Sequence, residues 1–172
     1  MGYTHYARQM RPLRDPEWQQ LVAAFRKLRS HLPEHSMSAG GCYADELLCV
    51  SVRHERDLSE VIQFNGSPEE LSHEDMVLER NPKKRMNFLC KTARKPYDLL
   101  VCGLLIIAAV VAPDAFLITS DGDSEDWKPA LDWVHEVLSA KYSPLIDADL
   151  DLPRGIKSGQ VNLVYAKAQG WL

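Results

Sequence analysis

The run Lys91-Thr92-Ala93-Arg94-Lys95 stands directly before Pro96-Tyr97-Asp98 and an unbroken apolar stretch from Leu99 to Ala112. These residue types suit anion recognition. Pro96 is favoured at the first position of a helix, so Thr92, Arg94 and Lys95 fall just before a helix start, where free N–H groups and the dipole attract negative charge. Arg94 can grip a phosphate or carboxylate with two parallel hydrogen bonds, Lys91 can act as a point charge, and Thr92 can donate a hydroxyl. A plainer role competes with this: Asp98, near the third helical position, can cap those N–H groups itself and leave Arg94 to pair with a neighbouring carboxylate. Neither G-x-x-x-x-G-K-[ST] nor G-x-G-x-x-G occurs, so a P-loop or a dinucleotide fold has no support.

A second chemical cluster is Ser120-Asp121-Gly122-Asp123, between a strand and a helix, where open α/β sheets present ligand groups. Asp121 can orient a base, hold a metal through water or pair with Arg94, while Ser120, Asp123 and Ser124 suit helix capping. His5 lies between Tyr3 and Tyr6, and His73-Glu74-Asp75 forms a polar triplet; a histidine beside a carboxylate can transfer protons near neutral pH. His5, His73, Glu74 and Asp121 lack a compact ligand spacing such as H-E-x-x-H, so no metal and no other cofactor is assigned. Cys90 has basic neighbours of the kind that lower a thiol pKa, although burial at an element end is the commoner role. The ligand pocket expected from these residues comprises Tyr3, His5, Lys91, Thr92, Arg94, Tyr97 and Asp121. Arg94 and Lys91 would neutralise charge there, Tyr3 or Tyr97 would bound the ligand, and Asp121 would orient a polar group.

The elements that must position these groups follow from pattern. Gly2 to Met10 alternates as a strand, and Asp15-Pro16-Glu17 supplies an N-cap with proline at the first helical position for a helix whose Trp18, Leu21, Val22, Phe25 and Leu28 recur at helical spacing and which ends near Ser30. Leu47 to Val52 and Val61 to Phe64 read as strands, the second stopping at Asn65-Gly66, a dipeptide suited to positive φ. Met76 to Leu78 adds a short strand before the basic stretch. A helix from Pro96 to Ala112, a strand from Ala115 to Thr119 and a helix from Ser124 to Ala140 follow, the last with Trp127, Leu131, Val134 and Leu138 inward. From Tyr142 the rhythm loosens, and Gln160 to Ala166 is a last strand or a docked tail.

With 172 residues, an apolar fraction of 45% and a charged fraction of 26%, the chain is expected to form a single packed domain over residues 1–172, with 142–172 as a loosely patterned extension. The fold class expected is α/β in the broad, α+β sense: a mixed or mostly antiparallel sheet with two to three packed helices. Cys42, Cys49, Cys90 and Cys102 are widely spaced and no secretory leader opens the chain, which argues against a disulfide framework or zinc ribbon and for a reducing cytoplasm. Fourteen apolar residues at 99–112 fall short of the about twenty that cross a bilayer. The net charge of −4 hides an asymmetry, because Arg80, Lys83, Lys84, Arg85, Lys91, Arg94 and Lys95 place seven positive charges in sixteen residues without an acid, leaving −11 for the rest. Such a body disfavours duplex nucleic acid and steers small anions or an acidic protein surface toward the strip.

Met1-Gly2-Tyr3-Thr4-His5-Tyr6, Phe64-Asn65-Gly66, His73-Glu74, Cys90 to Asp98, and Ser120-Asp121-Gly122 with Asp126-Trp127 resemble a family of uncharacterised phage and bacterial proteins that open with this hexapeptide and carry a similar basic turn. The resemblance spans most of residues 1–138, and the chain departs from it at Ala7 and at Asp75-Met76. It implies a phage or mobile-element setting, and with that a role in countering host defence, but brings no catalytic residue. The reading favoured at this point is an accessory protein that binds an anionic small molecule such as a nucleotide. The alternatives are a protein-binding inhibitor acting through Lys83, Lys84, Arg85 and the Trp171 tail, and a hydrolase or transferase with His5 or His73 as base.

Overall fold

The computed structural model describes residues 2–32, 48–49, 61–66, 69–82 and 86–142. The fold is α+β, with two small antiparallel sheets and three helices among these residues. The first sheet has the order β5-β1-β6, with β1 (Thr4–Gln9) in the middle, β5 (Met86–Lys91) on one side and β6 (Phe116–Ser120) on the other. The second runs β2 (Leu48–Cys49), β3 (Val61–Gly66), β4 (Met76–Glu79). The helices are α1 (Asp15–Arg29), α2 (Asp98–Val111) and α3 (Ser124–Tyr142).

Alternation on β1 sends His5, Ala7 and Gln9 inward and Tyr6 and Arg8 outward. Its register sets His5 opposite Cys90 on β5 and opposite Ser120 on β6. Helix α2 is apolar all round and buried from Leu100 to Ala108, as expected of a helix enclosed on every side. It packs against α1, α3 and β6. Each fully buried leucine or isoleucine there contributes about 1.5–3 kcal/mol of transfer free energy. Gly103 lets neighbouring helices approach: a Cβ at that position would stand 3.0 Å from Trp133 and 3.1 Å from Leu28. Trp133 Nε1 donates to the His31 carbonyl at 3.1 Å and ties α3 to the end of α1. On β3 and β4 the inward pairs are Ile62 with Leu78 and Phe64 with Met76, and Phe64 stacks on Phe25 of α1.

Several element bounds differ from expectation. Asp15 is the first helical residue of α1, with Arg14 as its cap residue and Glu17 accepting the Arg14 N–H at 2.8 Å. Helix α2 begins at Asp98, two residues after Pro96, because Pro96 and Tyr97 belong to a turn closed by Asp98 N–H on the Lys95 carbonyl. Asn65-Gly66 lies within β3, and its glycine is required by proximity: a Cβ would meet the Leu71 carbonyl oxygen at 2.0 Å. Strand β5 was not anticipated, and Cys90 and Lys91 belong to it instead of to a turn. Lys83, Lys84, Arg85, Trp171 and the Gln160 to Ala166 segment lie outside the described residues, as does all of the Leu47 to Val52 strand except Leu48–Cys49.

Candidate functional site

The central strand β1 delivers His5, 1% exposed, into a polar cluster. Helix α2 supplies Asp98 and Cys102, four residues apart and therefore on one face. Asp98 Oδ1 lies 2.8 Å from His5 Nε2, and Cys102 Sγ lies 3.5 Å from the same nitrogen. From the other flank Ser120 Oγ meets His5 Nδ1 at 2.9 Å while accepting the Gly122 N–H at 2.9 Å. Thr92 donates its hydroxyl to Asp98 Oδ1. Both imidazole nitrogens are thus engaged, and the ring is wedged edge-on between Tyr3 and Trp127, at centroid distances of 5.0 and 5.2 Å. Burial pushes the Cys102 thiol well above its ordinary value, with the charge of Asp98 adding to the effect.

The basic turn sits directly over this cluster. Thr92 and Ala93 N–H both donate to the Tyr3 carbonyl at 3.1 Å, and Lys95 N–H closes the turn on the Thr92 carbonyl at 3.0 Å. Ala93 and Arg94 have φ of 50° and 59°, a left-handed backbone that costs a non-glycine residue roughly 1–2 kcal/mol. That conformation brings the Arg94 guanidinium over the Tyr3 ring, 4.0 Å from its centroid, while Asp126 holds it from the side at 2.5 and 3.3 Å. The hydrogen bond to Arg94 keeps the Asp126 carboxyl below its usual range, and the same bond raises the guanidinium. Arg94 remains 59% exposed. Tyr3 is buried, and its phenol is raised chiefly by desolvation, with Cys102, Asp98 and Asp126 contributing. Neither Tyr3 Oη nor Trp127 Nε1 has a hydrogen-bond partner among the described residues.

Of the seven expected pocket residues, the structure gathers Tyr3, His5, Thr92 and Arg94. Lys91 is adjacent, its side chain lying along Gly2. Its N–H donates to Glu74 Oε2 at 2.7 Å and its carbonyl accepts the Glu74 N–H at 3.2 Å. Tyr97 turns into the core, where its hydroxyl donates to the Glu74 carbonyl at 2.8 Å. Asp121 serves the chain: its carboxylate accepts the Thr4 N–H and its own N–H donates to the Thr4 carbonyl, both at 3.0 Å. Asp126 is the carboxylate on Arg94. His73 is held through its backbone by Asn65 on the second sheet. The environment of Cys90 is opposite to that of a nucleophile, because burial pushes its thiol up to about 12.

Asp98, Cys102 and Ser120 complete the cluster without having been singled out as ligands. The i, i+4 spacing of Asp98 and Cys102 was legible, but a uniformly apolar helix gives no sign of which face meets β1. No protein-family model matches the chain, and no curated protein or solved structure is significantly similar to it.

Proposed function

We propose that the protein binds an anionic small molecule at the Arg94 turn, with Arg94 as the principal contact, Lys91 as a second charge and Tyr3 as the surface beneath. The observation that carries this reading is the pair of consecutive left-handed, non-glycine residues, Ala93 and Arg94. Strain of this kind persists where surrounding bonds over-determine it and concentrates at ligand-binding sites. Here the Tyr3 carbonyl and the Thr92 to Asp98 contact fix the turn, and its product is a solvent-reachable guanidinium stacked on an aromatic ring. Asp126 is then a latch that an incoming phosphate or carboxylate competes with. The burial of His5 and Ser120, 1% and 4% exposed, favours binding over turnover, since a substrate must reach its nucleophile or base. A phage or mobile-element accessory role rests on the sequence resemblance alone.

Calorimetric titration with pyrophosphate and with a nucleoside monophosphate tests the assignment. Arg94→Gln should abolish the heat of binding, and Asp126→Asn should strengthen binding by freeing the guanidinium. Unchanged affinity in Arg94→Gln would remove the turn from consideration.

A protein-binding inhibitor is the second reading, favoured by the outward face of the first sheet. Tyr6, Leu89 and Leu117 are 40%, 53% and 47% exposed there, and Tyr6 is the direct cross-strand neighbour of Leu89.

A further inference from the structure

Three side chains of the cluster, His5 and Cys102 buried and Asp98 partly exposed, offer donors of three kinds: imidazole nitrogen from His5, carboxylate oxygen from Asp98 and sulfur from Cys102, all within 4.8 Å of one another. We infer that this cluster is a binding site for one zinc-like divalent ion, held by His5 Nε2, Cys102 Sγ and the Asp98 carboxylate at the junction of β1 and α2. The mixture of nitrogen, sulfur and oxygen selects a borderline-soft ion and disfavours magnesium or calcium, which take oxygen ligands.

The separations suit it. With metal bonds of about 2.3 Å to sulfur and about 2.0–2.1 Å to nitrogen, a tetrahedral centre sets those two donors about 3.6 Å apart. His5 Nε2 and Cys102 Sγ stand at 3.5 Å, and Cys102 Sγ and Asp98 Oδ2 at 3.9 Å. The other carboxylate oxygen, Oδ1, is at hydrogen-bond distance from Nε2, 2.8 Å, and this contact must open by roughly 0.5 Å if that oxygen is the ligand and the ion replaces the proton between them.

Outer contacts are already in place. Ser120 Oγ faces Nδ1, the position from which a second group fixes the tautomer of a metal-bound histidine, and Thr92 holds the Asp98 carboxylate. On binding, the Cys102 thiol proton leaves to solvent and the imidazole proton resides on Nδ1, donated to Ser120 Oγ. The serine hydroxyl proton is then released from the imidazole nitrogen that had accepted it.

Cobalt(II) titration of the purified protein, followed by absorption spectroscopy, tests the site independently of any anion. The expected result is one equivalent per chain, with a thiolate-to-cobalt charge-transfer band that zinc displaces. Cys102→Ala should lose the charge-transfer band while Cys90→Ala keeps it. Ser120→Ala should keep the band but weaken affinity about 10–100-fold, as loss of an outer-shell contact does. A wild-type protein that gives no such band overturns the assignment without recourse to any variant, and so does a band that survives in folded Cys102→Ala.

Discussion

Gly122 is the position where one methyl group would most disturb the site. A Cβ there would stand 2.2 Å from Tyr3 Oη and 3.0 Å from Asp126 Cβ, so neither the ring under Arg94 nor the latch beside it could keep its place. Gly122→Ala is expected to destabilise the protein by about 1–3 kcal/mol, the usual cost of overpacking, as read from urea unfolding. Tyr3→Phe removes the nearest clashing atom and should recover part of that loss. Alone it deletes a hydroxyl with no partner among the described residues, so its own effect should stay within about 1 kcal/mol. Ala93→Gly is the opposite probe: it relieves the left-handed strain at φ 50° and should stabilise by up to about 1 kcal/mol after the unfolded-state entropy of glycine is subtracted. Pyrophosphate affinity should be retained in that variant, because the contact proposed for the anion is the Arg94 side chain. A loss of affinity in Ala93→Gly would mean that rigidity of the turn, and not its shape alone, is needed.

At the scale of elements, the three helices were legible because each has its own punctuation: proline and acid in the first turn of α1, Pro113 after α2, and Ser124 at the first position of α3. Strand β5 was not. Leu89 points outward and 53% exposed, which spoils alternation, and cations on both sides of Met86–Lys91 imitate a loop. The candidate site shared that opacity, since Ser120 reaches His5 only through the pairing of β1 with β6, more than a hundred residues apart in sequence. No local pattern encodes such a contact. Charge also joins elements at the far end of this sheet, where Arg11 bonds Glu17 of α1 at 2.8 and 2.9 Å and Asp114, after α2, at 2.5 and 2.9 Å. These bonds hold both carboxyls below their ordinary values of 4.5 and 3.8. A depressed folded pKa means that the unfolded chain binds more protons in this range, so the stabilisation is complete above those values and vanishes as pH falls through the folded ones. Thermal unfolding across that acid window should show a decline that Arg11→Met makes shallower. Both partners are partly exposed, so the difference should shrink in high salt.

Over the whole molecule, the basic strip is less free than its charge suggests. Arg80 pairs with Asp15, Arg94 with Asp126, and Lys95 donates to the Glu70 carbonyl at 2.6 Å. An acidic body of this kind repels polyanions while a local pair such as Arg94 and Lys91 can still draw a small anion, and that attraction should weaken with ionic strength. No helix among the described residues is long and apolar enough to cross a membrane. The central claim is that the strained turn exists to present Arg94 to an anionic ligand, and native mass spectrometry of gently purified protein tests it most directly. The account predicts a stoichiometric, phosphate- or carboxylate-bearing adduct on the wild-type chain that is released on denaturation and is missing from Arg94→Gln. A bare wild-type mass that stays bare when pyrophosphate or a nucleoside monophosphate is added, or an adduct carried equally by Arg94→Gln, would contradict it.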